Sequence, residues 1–428
     1  MKEICLLNDS FPPILDGVSN AVVNYAKNIN GKGIAVSVVT PDHPEADDAE
    51  FPFPVLRYPS LDLRKLLGYP AGLPFFNETL DELRSHDIAL LHSHCPFSSQ
   101  IMARRLRETL DVPLVMTYHT KFDIDIANAI HSRFFQEGAI KALADNVNSC
   151  DEVWTVSRGA GENLRSIGYK GDYIVMENGV DIPKGRMKED EFMRLTAYAD
   201  IARNLPVFLF VGRLKWYKGI RIILDALAAL RSQDFDFRMI FVGKGGDAEE
   251  MKAYSEKAGL TDCCVFLGPV YDRELLTAWY CRADLFLFPS TFDTNGLVVR
   301  EAAACSLPCV LVRDSCAAEG VSGNVNGFLI DENAASLAVC LARIMNDKPL
   351  LQRVGRAASE ELYVSWSDAV GKAISRYEKV VENYKAGKYQ KRPSISDEFF
   401  RLSGELDDSL FAVKERSREL KARVDRYL

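Results

Sequence analysis

Two carboxylates separated by seven residues flank a glycine loop in the stretch Ser290–Ala304, Ser-Thr-Phe-Asp-Thr-Asn-Gly-Leu-Val-Val-Arg-Glu-Ala-Ala-Ala. Asp293 precedes the loop and Glu301 follows it. The apolar run before this stretch predicts a buried strand, and the residues from Val298 predict a helix with Glu301 in its first or second turn. Backbone N–H groups at a helix start favour an anion such as a diphosphate, while carboxylates accept hydrogen bonds from sugar hydroxyls. A site that takes both groups suits a nucleotide sugar.

A cluster of positive charge occurs at 211–219, Val-Gly-Arg-Leu-Lys-Trp-Tyr-Lys-Gly. The apolar run before it predicts a strand that ends at Gly212, and Arg213 and Lys218 flank the loop that opens the next helix. A departing diphosphate gains negative charge, which preorganised cations stabilise without a metal ion. An arginine binds two oxygens at once, and a lysine supplies a point charge. These two residues are therefore predicted to hold a diphosphate.

Short apolar runs alternate with helical patterns through both halves of the chain, and a charged connector near residue 185 separates the halves. In the first half, Ile4–Leu7 and Val36–Thr40 are predicted as strands that enclose a helix over Val18–Ile29. The pattern restarts with a strand over Val207–Phe210. This βαβ order predicts two parallel, doubly wound sheets, in which ligands bind outside the carboxyl ends of the strands. We expect the active site in the cleft between two such domains.

The composition narrows the class of protein. The chain has 428 residues and a net charge of −8, so a surface for nucleic acid is not expected. No run approaches the roughly 18 apolar residues that span a bilayer, and Asn8 and Asp9 interrupt the first apolar run too early for a signal peptide. The ten cysteines form no Cys-x-x-Cys pair, which predicts neither a disulfide framework nor a structural zinc. We therefore expect a cytoplasmic protein.

These motifs resemble those of the retaining family-4 glycosyltransferases, which have the GT-B fold of two Rossmann-like domains facing a cleft. The acid-x7-acid spacing and the Gly-Arg-x4-Lys-Gly segment carry the resemblance, which extends over roughly residues 3–384. It implies an α/β fold with an N-terminal acceptor-side domain over 1–184, completed by a crossing helix over 366–384. The nucleotide-sugar-binding domain would span 185–365, and residues 385–428 would form a linker and an amphipathic helical tail. The implied enzyme moves a hexose from a nucleoside-diphosphate sugar to an acceptor hydroxyl.

The resemblance also implies which residues bind the donor. Glu301 would bind the ribose hydroxyls, and Asp293, with the backbone of Asn295 to Leu297, would bind the sugar; the family usually has glutamate at the first acid. After the first strand, Gly17 lies where the family's donor-facing loop has its second glycine, and Asp16 replaces the first. The predicted donor-binding residues are Gly17, Gly212, Arg213, Lys218, Gly243, Val270, Asp293, Asn295, Gly296, Leu297 and Glu301.

Three histidines follow the predicted ends of neighbouring strands, His92 and His94 in His-Ser-His and His119 in Thr-Tyr-His-Thr. Such a group could bind zinc. However, no nearby carboxylate has helical ligand spacing, and the family needs no bound metal, so neither a metal nor another cofactor is predicted. The resemblance implies that His119 binds a sugar hydroxyl near the donor. The predicted catalytic residues are His119, Arg213, Lys218 and Asp293.

Two segments bear on the acceptor. His94–Phe97 and His119–Asp123 resemble segments of bacterial diacylglycerol glucosyltransferases within the family, which implies a lipid or saccharide acceptor. Leu63–Phe76 is unusually apolar for a loop and carries Arg64 and Lys65. We favour a loop packed over the core, and the alternative is peripheral contact with a lipid acceptor or with the inner face of a membrane.

Two other classes of function stay open. One is a different GT-B enzyme, either a polysaccharide-building transferase or a sugar-nucleotide epimerase. The other is a nucleotide-sugar-binding pseudoenzyme, which Asp16 and Asp293 keep open because both depart from the family pattern.

A seven-residue repeat occupies the C-terminal tail. Its apolar members are Phe399, Leu406, Val413, Leu420 and Tyr427, with Leu410 and Val424 at the neighbouring core position. Four heptads suit a coiled-coil seam, although Ser403, Gly404 and Ser417 interrupt it. An isolated helix of this kind is marginal in water, so the seam needs a partner. We predict a homodimer through this helix; docking on the chain's own domains is the alternative.

Overall fold

The structure is a computed structural model that describes residues 2–14, 16–62, 70–75, 78–130, 132–199, 201–202, 205–389, 396, 398–402 and 405. Two compact units make up the chain. Unit 1 contains the residues up to Glu177 and those from Trp366 onward, and unit 2 contains Asn178–Ser365. The predicted domain limits at residues 184 and 385 stay a prediction.

Unit 1 contains a parallel sheet with seven strands among its described residues. The strands of this unit are β1 (Glu3–Leu7), β2 (Val36–Pro41), β3 (Val55–Tyr58), β4 (Ser60–Leu61), β5 (Ala71–Gly72), β6 (Ile88–Ser93), β7 (Leu114–Tyr118), β8 (Glu152–Thr155) and β9 (Tyr173–Val175). The sheet has the order β3-β2-β1-β6-β7-β8-β9, and β4 and β5 form a separate antiparallel pair. The helices up to β9 are α1 (Gly17–Gly31), α2 (Glu78–Leu83), α3 (Ser98–Leu110), α4 (Phe122–Ala129), α5 (Arg133–Asn148) and α6 (Arg158–Ser166).

Unit 2 has a parallel sheet with six strands in its described part. They are β10 (Val207–Val211), β11 (Arg238–Val242), β12 (Cys264–Gly268), β13 (Leu285–Phe288), β14 (Cys309–Val312) and β15 (Phe328–Ile330), in the order β12-β11-β10-β13-β14-β15. Its helices are α7 (Glu189–Leu195), α8 (Ile220–Arg231), α9 (Ala248–Lys257), α10 (Arg273–Arg282), α11 (Leu297–Ala304), α12 (Ala334–Ile344) and α13 (Lys348–Glu361). The chain then returns to unit 1 with α14 (Trp366–Lys385).

The central strands are almost wholly apolar because helices cover both faces of a parallel sheet. All residues of β10, β13 and β14 are buried, as are those of β1 apart from its first residue. Two parallel, doubly wound sheets confirm the α/β class predicted from the sequence. None of the described helices is both long enough and apolar enough to cross a membrane.

Helix α14 is anchored to the sheet of unit 1 by polar contacts in an apolar setting. The Tyr377 hydroxyl lies 2.6 Å from Nδ1 of His92, and the Tyr377 ring stacks on Trp154 with centroids 5.1 Å apart. One residue earlier, the Arg376 guanidinium donates two hydrogen bonds to the carboxylate of Glu152. Because the donors and acceptors are buried, these bonds fix the register of the helix.

The first part of the C-terminal tail packs on unit 1. Phe400 is buried, and the Arg104 guanidinium lies over its ring at 3.9 Å, while Ser396 donates a hydrogen bond to Asp145. Phe399 is 56% exposed and contacts Phe75 with ring centroids 6.2 Å apart. The later heptad positions, from residue 406 onward, and residues 63–69 of the apolar loop lie outside the described residues. The homodimer therefore stays a prediction.

We predict that Tyr377→Phe lowers the free energy of unfolding by about 1–3 kcal/mol, because it leaves a buried nitrogen of His92 without its partner. Urea titration followed by tryptophan fluorescence measures the change. On the same helix, Tyr384 donates to Asp111 at an exposed position, so Tyr384→Phe is the matched control, with an expected change within about 0.5 kcal/mol. Equal effects of the two substitutions would contradict a stabilising role for the buried bond.

Candidate functional site

The predicted donor residues of unit 2 meet at the carboxyl edge of its sheet. The chain builds the sheet outward from β10 in one direction through β11 and β12, and in the other through β13, β14 and β15. The junction of β10 and β13 is therefore the switch point of this open sheet, where ligands of such folds bind. Arg213 and Lys218 follow β10, and Asp293 follows β13, so the topology brings these three residues to the switch point.

An ion pair joins the two loops at this point. Nζ of Lys218 lies 2.6 Å from Oδ1 of Asp293, and the two side chains are only 11% and 21% exposed. The Ser290 hydroxyl, which is fully buried, donates to the other carboxylate oxygen, Oδ2. Sequence reasoning placed Lys218 on the diphosphate and Asp293 on the sugar, and it missed both their pairing and Ser290. The sequence contained a signal for the serine contact, because Ser290 lies only three residues before Asp293.

Glycines allow the loops to approach each other this closely. Gly219 follows the lysine with a φ of +76°, and a Cβ on it would lie 2.2 Å from the carbonyl oxygen of Pro289, in the loop that holds Asp293. Gly243 has a φ of +142°, and a Cβ there would lie 1.8 Å from the carbonyl oxygen of Gly212. Both positions therefore require glycine, for the conformation and for the space.

A cavity of about 210 Å³ opens beside these loops. It is lined by Val211, Gly212, Arg213, Val242, Gly243, Lys244, Pro269, Val270 and Leu276. The walls are backbone and apolar side chains, apart from the two cations, and the Arg213 side chain is exposed. This volume is smaller than the roughly 300–1,000 Å³ of a complete ligand pocket, so the cavity suits one part of a donor. The predicted residues Gly212, Arg213, Gly243 and Val270 are thus together.

The second acid, Glu301, lies in a largely buried polar network. Its side chain is 12% exposed; Oε2 accepts a hydrogen bond from Tyr280 at 2.8 Å, and Oε1 lies 3.4 Å from the Arg273 guanidinium. Burial raises the pKa of Glu301, while Tyr280 and Arg273 oppose the rise. Arg273 also pairs with Asp181 at 2.6 Å. Sequence reasoning missed Tyr280 and Arg273 because α10 was not predicted.

The loop between the two acids ends in the start of a helix. Gly296 adopts a left-handed conformation with a φ of +58° directly before α11, and Leu297 is the first residue of that helix. Asn295 is buried; its Oδ1 accepts from Arg300 at 3.3 Å, and its Nδ2 has no hydrogen-bond partner among the described residues. The amide and the free N–H groups of the helix start therefore offer donors for a ligand.

The three predicted histidines form one buried group in unit 1. The rings of His92 and His94 lie with centroids 4.0 Å apart, and Nδ1 of His94 lies 2.9 Å from Nε2 of His119. Burial lowers the pKa of His119 to about 3 and holds the pKa of the other two well below the ordinary range. All three are therefore neutral near pH 7. His119 can offer hydrogen bonds but no positive charge.

The loop before α1 contains a helix cap that the sequence did not predict. Asp16 caps the helix, since its carboxylate accepts from the backbone N–H groups of Val18 and Ser19 at 2.8 Å each. These N–H groups would otherwise be available to a phosphate. No atom lies within 4 Å of a Cβ built on Gly17, so there is open space beside it. The role of Gly17 in donor binding stays a prediction.

Among the described residues, no group of three or more His, Cys, Asp or Glu side chains is arranged to hold a metal ion. The positive charge at the switch point comes from Arg213 and Lys218. Phosphate oxygens, sugar hydroxyls and an apolar ring can therefore all be bound within one unit, at the edge of one sheet.

Comparisons with known proteins agree with this chemistry. The family described as "Glycosyltransferase Family 4" matches residues 15–184, and the family described as "Glycosyl transferases group 1" matches residues 198–361. An alpha-monoglucosyldiacylglycerol synthase of Streptococcus pneumoniae is 21% identical over 98% of this chain and 96% of its own length. The enzyme of the same name from Acholeplasma laidlawii is 23% identical over 87% of this chain and its full length.

The solved structures show the same fold. The Anabaena protein HepE in complex with UDP superposes with a TM-score of 0.72 and 21% identity, and the match covers 89% of this chain and all of that one. The GT-B architecture predicted from the sequence is therefore confirmed.

We predict that Arg213→Ala and Lys218→Ala each reduce turnover by about 100-fold or more, because each removes one preorganised cation from the leaving diphosphate. Steady-state kinetics with a nucleotide-sugar donor measure this. Lys252→Ala is the charge-matched control, since Lys252 is paired only with Glu249 on an exposed helix face, and its turnover should be unchanged. Near-normal rates in both site variants would exclude the diphosphate role.

We predict that Glu301→Gln raises the donor KM by about tenfold or more and changes kcat little. Ribose contacts exist in the ground state and in the transition state alike, so their loss weakens uniform binding. An amide keeps the shape but replaces one acceptor with a donor that cannot accept from ribose or from Tyr280. A large fall in kcat with an unchanged KM would assign Glu301 to the chemical step instead.

Proposed function

Given that the chain belongs to the family-4 glycosyltransferases of the GT-B fold, we propose that it moves a hexose from a uridine-diphosphate sugar to a hydroxyl group of a membrane lipid, with retention at the anomeric carbon. The class of enzyme, a glycosyltransferase, is established by the family. The proposed donor and course of the reaction rest on one observation: the Lys218–Asp293 ion pair lies beside the exposed Arg213 and a cavity of the size of a base.

In this proposal Lys218 contacts both Asp293, which binds the sugar, and the leaving diphosphate. An ammonium group has three N–H donors, so Lys218 can keep Asp293 and also bind a phosphate oxygen. Arg213 supplies the second cation for the diphosphate. In this arrangement Asp293 accepts hydrogen bonds from the sugar, and the N–H groups around Gly296 add donors. Because Lys218 touches both partners, it fixes the sugar relative to its leaving group.

The proposed step breaks the bond from the anomeric carbon to the phosphate oxygen and forms one to the acceptor oxygen on the same face. The acceptor proton passes to the departing phosphate oxygen. The growing negative charge on the diphosphate meets Arg213 and Lys218, which are already in place. No side chain is needed as a covalent nucleophile.

Uracil fits the cavity better than guanine does. Guanine presents two adjacent N–H donors, which a carboxylate would accept. The residues that line the cavity include no carboxylate in the described part of the chain, and Lys244 stands at its wall. Backbone groups near Val270 can serve the carbonyl and N–H groups of uracil. The UDP held by the similarly folded HepE supports this choice.

A membrane lipid as acceptor is supported by exposed apolar groups of unit 1 and by the names of the relatives. Phe134 and Phe135, at the start of α5, are 79% and 66% exposed, and Phe75 and Phe399 are also more than half exposed. Exposed aromatic clusters mark contact surfaces, and a bilayer accepts such groups. The relatives named alpha-monoglucosyldiacylglycerol synthase agree with a lipid. We therefore propose that a cytoplasmic protein binds peripherally to the membrane.

The function is tested with purified protein, labelled UDP-glucose and UDP-galactose, and phospholipid vesicles that contain diacylglycerol or glucosylated diacylglycerol. We expect a labelled lipid whose new linkage is α by NMR, and the same rate in excess EDTA. Lys218→Ala serves as the inactive control. Transfer from GDP-mannose but from neither UDP sugar would reject the base assignment. Loss of activity in EDTA that Mg²⁺ restores would reject catalysis by the two cations alone.

A further inference from the structure

Two aromatic side chains form an exposed pair at the rim of the charged site. The rings of Tyr217 and Phe292 lie with centroids 4.5 Å apart and planes inclined at 39°. Tyr217 is 44% exposed and Phe292 is half-buried, and neither belongs to the hydrophobic core of unit 2. The ammonium of Lys218 lies 5.6 Å from the first ring and 5.3 Å from the second. Core packing therefore does not account for the pair, which borders the reaction site.

Besides the Lys218 ammonium, the polar groups near these rings include two carboxylates, which accept hydrogen bonds. Glu332, the second residue after β15, is exposed and accepts from Thr291 at 3.0 Å. Asp293 adjoins Phe292 in the chain. A sugar ring has an apolar C–H face that packs on an aromatic ring and hydroxyl groups at its edge that donate to carboxylates. A fatty acyl chain would leave the carboxylates unused, and a phosphate would be repelled by Glu332. The chemistry therefore selects a pyranose.

The order of the strands indicates whether this pyranose belongs to the donor or to the acceptor. The cavity assigned to the base lies at β10, β11 and β12, and in the proposed function the donor extends from there past Lys218 to Asp293 after β13. Glu332 follows β15, at the opposite edge of the sheet. The Tyr217–Phe292 pair spans the β10 and β13 loops, so this rim extends from the donor sugar away from the base. A ring bound here lies beyond the donor.

We propose that Tyr217 and Phe292, together with Glu332, form a subsite for a pyranose carried by the acceptor. This subsite rests on the proposed function. It implies that the acceptor hydroxyl belongs to a sugar headgroup, so the enzyme prefers a glycosylated lipid over bare diacylglycerol. A free saccharide offers the same ring without the lipid, and the experiment below separates the two.

Binding is measured first, without any requirement for transfer. The probe is methyl α-D-glucopyranoside in saturating UDP, followed by saturation-transfer NMR, with glycerol as the negative probe. Tyr217→Leu and Phe292→Leu remove a flat ring but keep apolar volume, and Tyr217→Phe keeps the ring as the matched control. We expect glycoside affinity to fall at least tenfold in the two leucine variants and to stay within twofold in Tyr217→Phe. UDP affinity should be unchanged in all three.

Transfer then distinguishes the acceptors. Wild type should use vesicles with glucosylated diacylglycerol at a KM at least tenfold below that for diacylglycerol, and the leucine variants should lose this preference. Soluble methyl glucoside as the better acceptor would assign the subsite to a free saccharide. Any of three results would overturn the subsite: wild type fails to bind the glycoside, the leucine variants bind it as tightly as wild type does, or wild type uses the two lipids equally well. Intact glycoside binding without transfer to any acceptor would instead overturn the proposed function.

Discussion

The Lys218–Asp293 ion pair is the interaction on which the site of unit 2 depends, because it joins the loops that follow β10 and β13. Both side chains are largely buried, and a charge in such a place needs a partner. Within the pair the two charges offset each other, and Arg213 is an exposed cation beside it. A diphosphate then meets one cation in open solvent and one that is already oriented. Lys218 stays positioned in both situations because it is paired with Asp293, whose other carboxylate oxygen accepts a hydrogen bond from Ser290.

The two acids of the motif have different environments, and this separates their roles. Asp293 contacts the ammonium group of Lys218 and the hydroxyl group of Ser290, and in the proposed function it also accepts hydrogen bonds from the sugar. Glu301 lies deeper, where burial raises its pKa and Tyr280 and Arg273 restrain that rise. Arg273 contacts both Glu301 and Asp181. If Glu301 binds ribose as proposed, the ribose hydroxyls compete with Arg273 for this carboxylate.

Much of the fold could be predicted because parallel strands buried on both faces leave continuous apolar runs in the sequence. The same reasoning located the cations and acids at strand ends. It failed where local preference and tertiary packing disagree: α6 was missed because Gly159 and Gly161 disfavour a helix, yet Gly161 is required where the ring of Tyr173 lies against it. The Lys218–Asp293 contact spans 75 residues of sequence, and no local pattern encodes such a pairing. The donor roles of individual residues, Gly17 among them, rest on resemblance and stay predictions.

The histidines of unit 1 differ in charge from the cations of unit 2. His119 lies against His94 in a buried group, and its pKa of about 3 keeps it neutral at any pH at which the protein is expected to work. A neutral imidazole can orient a hydroxyl but cannot balance the charge of a leaving diphosphate, and in the same unit the Asp16 carboxylate caps the start of α1. In the proposed function, phosphate stabilisation is therefore assigned to Arg213 and Lys218 of unit 2, and His119 is assigned to a hydroxyl group. We therefore expect a loss of charge at Arg213 or Lys218 to slow the chemical step. A change at His119 should affect mainly the orientation of the bound hydroxyl group.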